Sequence, residues 1–198
     1  MNGIDDLVKM RRSVCAPVAS LIHRRWSPRS MSGESLTDEE IHSLFEAARL
    51  APSSYNAQPW RLIYVTNTDP KWADFLDLLV DFNKKWCKNA AMLVVVASRK
   101  KFEHNEQPSK THSYDAGAAW MSLALQATES NLVAHGIAGF DYQKAASLIR
   151  LPSDYEVEAM IAVGRPAAKE NLPSDLQGLE IPSERRPLKE IIFHAQFS

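Results

Sequence analysis

A chain of 198 residues with 45% hydrophobic residues, 24% charged residues and a formal net charge of −1 has room for one well-cored domain. That balance excludes a general nucleic-acid or anionic-membrane binder, because no wide basic field is present. Cys15 and Cys87 lie far apart without metal-ligand spacing, which excludes a disulfide framework and a zinc site and points to the reducing cytoplasm.

Residues 1–23 are predicted as a leading helix, with Leu7, Met10, Val14, Val18, Leu21 and Ile22 forming an apolar stripe interrupted at Pro17. Such a stripe suits packing on its own domain or on a neighbouring subunit. Asp5 and Asp6 stand where a signal peptide would carry basic residues, so no leader is expected. Arg11, Arg12 and Ser13 are read as surface. In the following His23–Ser30 segment, Arg25, Ser27 and Arg29 alternate, and Pro28 enforces extended backbone on Ser27. One face could then grip an anion through bidentate guanidinium forks. A solvated basic segment would read the same way.

Thr37 followed by Glu40 is a capping box, and Ile41, Leu44, Phe45 and Ala48 continue a helix that Pro52 ends. The loop from Ala51 to Trp60 then gathers Ser53, Ser54, Asn56 and Gln58 between two prolines. These groups can hydrogen-bond a heteroaromatic edge or a sugar chain without adding charge. Alone, the loop reads first as a turn whose Ser and Asn bond their own backbone. A strand is expected over 62–66. A helix opened by Asp69-Pro70 should carry Trp72, Phe75, Leu76, Leu79 and Val80 into Asn83–Trp86.

The apolar run 90–97 is a buried central strand, too short to span a bilayer. Residues 99–112 form a polar excursion that suits a lid or a solvated loop. A long helix rich in small residues is predicted over 114–132, and the Gly136-x-x-Gly139 segment then frees the backbone to approach a ligand. No Gly-x-Gly-x-x-Gly occurs, so a Rossmann dinucleotide site is unsupported. A short helix over 145–151 and a strand over 157–163 follow. Residues 167–198 are proline-spaced and polar until Ile191, Ile192 and Phe193, and read as a tail lying along another surface.

Five segments in order resemble the nitroreductase family of flavin mononucleotide (FMN) enzymes: Arg25-Trp26-Ser27-Pro28-Arg29, the Ala51–Trp60 loop, Asn83, Gly136–Asp141, and Arg185-Arg186-Pro187. The resemblance covers about 25–186. It implies an α+β fold, a nitroreductase-like single domain with a central, mostly antiparallel β-sheet flanked by helices, and an intertwined homodimer. Two FMN sites would lie at the subunit interface, with the 167–198 extension along the partner subunit. Arg25 and Ser27 would bind the FMN phosphate, helped by Arg185 or Arg186, with Trp26 inside the same segment. Arg29 would reach the N1/O2 edge of the flavin. Pro52, Ser53, Ser54 and Asn56 would come from the partner, and Asn83 would bond the ribityl chain or the pyrimidine carbonyl. The Gly136, Ile137, Ala138, Gly139 turn would offer the N–H groups of Ala138 and Gly139 to flavin N5 and O4. The family spacing selects Arg25 over Arg12 as phosphate ligand.

The resemblance further implies NADH or NADPH as donor, ping-pong hydride transfer and a small electron-poor acceptor such as a nitroaromatic or quinone. No catalytic side chain, metal, nucleic acid or membrane is involved, and a cytoplasmic location is expected. An FMN enzyme with another acceptor, or a flavin storage protein, is the alternative. Two positions depart from the family: Ala138 stands where members often carry Glu, and Trp86 where some place Lys, which leaves Arg29 as the flavin's cation unless Lys84 or Lys85 substitutes. Tyr114, Trp120 and the excursion are candidate substrate walls.

Overall fold

The computed structural model describes residues 8–197. Four strands, β1 (Trp60–Thr66), β2 (Met92–Arg99), β3 (Val133–Ile137) and β4 (Tyr155–Gly164), form one sheet in the order β1-β2-β4-β3, every pair antiparallel. β2 is central, and both of its faces are covered. Leu93 and Val95 pack toward Phe75, Leu79, Trp86 and Leu176, while Met92, Val94 and Val96 pack toward Ile41, Leu44, Ala119 and Leu123. Helices therefore cover both faces of an antiparallel sheet, and the continuous apolar run of β2 is explained by burial on both sides.

The leading segment is not one helix. Residues 8–11 are helical, the chain then runs irregularly past Pro17, and α1 is confined to Ser20–Arg24. Pro17 supplies the reason, since it cannot donate to a helical ladder; residues 1–7 of that expected helix, Leu7 included, lie outside the described residues. α2 (Asp38–Arg49) starts at the expected capping box: Thr37 Oγ1 accepts from the Glu40 N–H at 3.2 Å, and the Thr37 N–H donates to Glu40 Oε2 at 2.8 Å.

The helix expected from Asp69-Pro70 into Asn83 is two, α3 (Trp72–Leu76) and α4 (Asp81–Cys87). Between them the chain pairs with the segment after β3. Leu79 bridges Phe140, the Val80 N–H donates to the Gly139 carbonyl and the Asp141 N–H to the Leu78 carbonyl. This break sets Asn83 beside Gly139. α5 (His112–Glu129) is the expected long helix, ending before Asn131, which lies at φ 56°. The bulge opposite Val96 and Ala97 aims Glu158 at Ser98, Ser113 and His112, fastening the first turn of α5 to the sheet.

β3 is an element that the sequence reading missed. Its five residues include only two β-branched ones and a glycine, a poor strand signal. Packing favours Gly136 there, since a Cβ would stand a tight 3.2 Å from the Trp120 indole. α6 (Tyr142–Leu148) is capped by the Asp141 side chain. The early tail, with α7 (Ser174–Gln177), belongs to the domain itself: Leu172, Leu176 and Glu180 are buried. Further along, Ile191, Ile192, Phe193 and Phe197 are exposed. Among the described residues no helix is long and apolar enough to cross a membrane, and no cluster of three or more His, Cys, Asp or Glu could hold a metal.

Candidate functional site

The arginine segment is held as an extended strap across the end of the sheet. Glu180, itself buried, accepts the Arg29 N–H at 2.9 Å and the Ser30 N–H at 2.8 Å, and the Ser30 hydroxyl donates to the Ala168 carbonyl at 2.6 Å. From β3, His135 Nδ1 donates to the Pro28 carbonyl at 3.0 Å. Fixed from both sides, the strap turns alternate side chains to one face: Arg25 Nη1 donates to Ser27 Oγ at 3.2 Å. A cavity of about 550 Å³ opens there, lined by Arg12, Arg25, Ser27, Arg29, His135 and Arg185 among others.

Arg12, read from sequence as surface, is only 8% exposed. Its Nε donates to the Ser183 carbonyl at 3.1 Å and its Nη1 to the Arg25 carbonyl at 2.6 Å. The residue therefore ties the N-terminal segment, the strap and the tail together at the cavity. Arg185, itself exposed, also lines it and donates to the carbonyls of Ser183 and Glu184; Arg186, also exposed, is not part of the lining. Burial and then the charges of Arg185 and Arg25 lower Arg12 to about 10; burial and Arg185 also lower Arg25. His135 falls to about 4, chiefly by burial, with Arg29 and Arg25 adding to it, so the imidazole is neutral at pH 7. Guanidinium groups crowded among neutral carbonyl acceptors are stabilised by a bound anion.

A chain of contacts leads from this cavity to the Gly139 turn. The Trp86 indole packs on His135, ring centroids 4.7 Å apart, and its Nε1 donates to Asn83 Oδ1 at 3.3 Å. Asn83 Nδ2 donates in turn to the Gly139 carbonyl at 2.9 Å. Among the described residues the Gly139 N–H has no protein acceptor. Gly136 and Ala138 are exposed beside it, Gly136 within β3 rather than in a turn, and Ile137 is buried. A Cβ at Gly139 would stand 2.7 Å from Asn83 Nδ2, so any larger residue there displaces the Asn83 amide from this position.

Pro52, Ser53, Ser54 and Asn56 are not part of the cavity lining. Their loop lies at the start of α5, where the Ser54 N–H donates to the buried Asp115 carboxylate at 3.2 Å and the Gln58 N–H to Ser53 Oγ at 2.9 Å. Tyr55, Asn56 and Gln58 all have positive φ, at 52°, 52° and 43°. Three non-glycine residues in the left-handed region within four positions is costly backbone, of the kind that accompanies preorganised sites.

The 99–112 excursion is a braced hairpin: Lys101 bridges Pro108, and Arg99 pairs with Glu106 and Asp154. It carries Phe102 and His104 against the exposed Tyr55 ring, with centroids 5.7 and 5.8 Å away. Of the other expected wall residues, Tyr114 is exposed and Trp120 stands against Gly136.

Sequence reasoning missed Arg12, His135 and Glu180 as site residues. Only His135 carried a local signal, a histidine adjoining the Gly-x-x-Gly segment.

The family model described as Nitroreductase family matches residues 22–82 and 69–165. A crystal structure described as an oxidoreductase containing FMN is 40% identical, with a TM-score of 0.90 over 94% of this chain and 96% of that one. A nitroreductase family protein from Clostridium difficile 630 shares the fold at 20% identity, with a TM-score of 0.70 over 92% of this chain and 100% of that one. The oxygen-insensitive NADPH nitroreductase of Helicobacter acinonychis is 44% identical over 69 residues, 35% of this chain and 32% of that protein. The match thus spans about a third of that relative's length.

Proposed function

The chain belongs to the nitroreductase family, and from that premise we propose that it is an FMN-dependent oxidoreductase. It takes electrons from NADH or NADPH and delivers them to an electron-poor acceptor such as a nitroaromatic or a quinone. Relatives described as containing FMN or as NADPH nitroreductases support the cofactor and the donor.

The observation that carries the reading is the arginine cavity. Arg25, Ser27 and Arg185 present two guanidinium forks and a hydroxyl to a space whose lining also holds Arg11, Arg12 and Arg29 and a single acid, Glu184, which pairs with Arg11; that excess of cationic donors is what a phosphate monoester dianion needs. Arg29, in the same lining, supplies further fixed positive charge, and the chain of contacts leads on from the cavity to Asn83 and Gly139. Asn83 keeps an amide N–H to spare, and the free Gly139 N–H offers a backbone donor to the polar edge of a planar ring. When bound, FMN supplies the hydride-accepting and hydride-donating chemistry; the protein binds, orients and sets the surrounding charge. No side-chain nucleophile or general base is assigned.

The site is completed by a second copy of the chain. The strained 52–58 loop belongs to no wall of its own subunit's cavity, which supports its serving the partner's site through Ser54 and Asn56. The exposed apolar residues of the tail, from Ile191 to Phe197, cover the partner. Tyr55, Phe102 and His104 then form an aromatic wall suited to a planar acceptor.

The test is an anaerobic absorbance spectrum before and after adding NADH, then NADPH. Stoichiometric flavin bands that bleach support the proposal and identify the donor. Bands that persist point to flavin storage, and failure to take up FMN refutes the reading.

A further inference from the structure

The family motif accounts for Arg25, Ser27 and the late arginine pair, yet the cavity has a further guanidinium that no motif contains. Arg12 enters from the irregular segment ahead of α1, outside the span matched by the family model. Its Nε and Nη1 are committed to the Ser183 and Arg25 carbonyls. Nη2 has no protein acceptor among the described residues and stays open to solvent, while the residue as a whole is largely buried and lines the cavity. No carboxylate is among its hydrogen-bond partners there. His23 Nε2 meets the Arg12 carbonyl at 2.9 Å, so the residue is anchored at both backbone and side chain.

We infer that Arg12 is a phosphate ligand of the flavin site, its free Nη2 completing a ring of guanidinium groups with Arg25 and Arg185. This rests on the FMN reading. Holding a largely buried cation beside two others is unfavourable, and an anion bound among them relieves it; a phosphate monoester dianion is such an anion. Because Arg12 also bonds Ser183, phosphate binding ties the N-terminal segment, the strap and the tail into one unit.

The experiment compares FMN with riboflavin, which lacks the phosphate, in flavin-fluorescence titrations of the flavin-stripped dimer. Wild type prefers FMN, and Arg25→Ala, the positive control, loses that preference. Arg12→Gln is expected to weaken FMN binding about tenfold to a hundredfold, the range for a charged hydrogen bond, with riboflavin affinity unchanged. Arg12→Lys recovers much of the loss, because the phosphate responds to charge even where the carbonyl-bridging fork is gone. An unchanged FMN preference in Arg12→Gln, or equal losses in the Gln and Lys variants, overturns the ligand assignment. If Arg25→Ala also keeps the preference, the cavity is not a phosphate site and the FMN placement itself fails. Should the variants not fold, hydrogen–deuterium exchange of wild-type residues 8–14 decides: added protection with FMN but not riboflavin supports the inference, and equal protection overturns it.

Discussion

His135 should make the flavin-free protein acid-sensitive in a defined window. Its ordinary value is 6.5, and in the folded chain it falls to about 4, chiefly by burial and further by the charges of Arg29 and Arg25. Between those values the unfolded chain binds a proton that the folded chain refuses, so stability falls as pH drops from about 6.5 to about 4 and is unaffected by this group above that range. The depression corresponds to at most about 3 kcal/mol. For a chain of this size that is roughly 6 to 12 °C in melting temperature.

The perturbation is His135→Asn, whose side-chain amide keeps a donor toward the Pro28 carbonyl but cannot titrate. Melting temperatures of both proteins, stripped of flavin, would be recorded from pH 8 to pH 4. Wild type should lose stability relative to the variant only below about pH 6.5. Adding FMN should shrink the difference, because an anion among the arginines favours the charged imidazolium. Parallel profiles over the whole range would refute the picture of a neutral imidazole enclosed by uncompensated cations.

Glu180→Ala strips the acceptor from two backbone N–H groups of the strap and should cost about 2–4 kcal/mol in urea unfolding. FMN affinity should fall although a negative charge has been removed; tighter binding would mean that Glu180 opposes the phosphate rather than shaping its site. Gly139→Ala forces a Cβ onto Asn83 Nδ2 and should cost about 1–3 kcal/mol, with weakened flavin binding; intact flavin affinity would separate Asn83 from the site. Tyr55→Ala should raise KM for planar aromatic acceptors by about twofold to tenfold while leaving flavin reduction by NAD(P)H untouched. A change in the reductive half-reaction alone would remove Tyr55 from the acceptor wall.

What the sequence made legible is what local physics determines. The Thr37–Glu40 box set the start of α2 because capping is an interaction over three residues, and the apolar run at 92–97 declared a strand buried on both faces. The Arg25-Ser27 alternation was legible for the same reason, since Pro28 restricts its neighbour. What failed was set at long range. The expected helix into Asn83 breaks because Leu78, Leu79 and Val80 pair with residues near 140, and β3 exists because β4 accepts it, despite Gly136. Arg12 looked like surface because its bond to the Ser183 carbonyl joins residues separated by 171 positions.

The arginines of this chain divide by what they bond. Arg99 is surrounded by Glu103, Glu106 and Asp154, and those hydrogen bonds and charges raise its affinity for its proton; Arg49 is raised in the same way by Glu46. Such residues are braces, and nothing further is needed to satisfy them. Arg12, Arg25, Arg29 and Arg185 have only carbonyl or hydroxyl acceptors among the described residues, and Arg12 and Arg25 are lowered. Of the acids close to them, Glu184 pairs with Arg11, and the Glu180 carboxylate is occupied by the backbone of Arg29 and Ser30. The fold thus uses Glu180 to shape the strap and Glu184 to hold Arg11, and leaves Arg12, Arg25, Arg29 and Arg185 without a carboxylate partner among the described residues. That arrangement is unfavourable for an empty site and favourable for one that holds a dianion, which is why the phosphate should contribute to stability as well as to affinity.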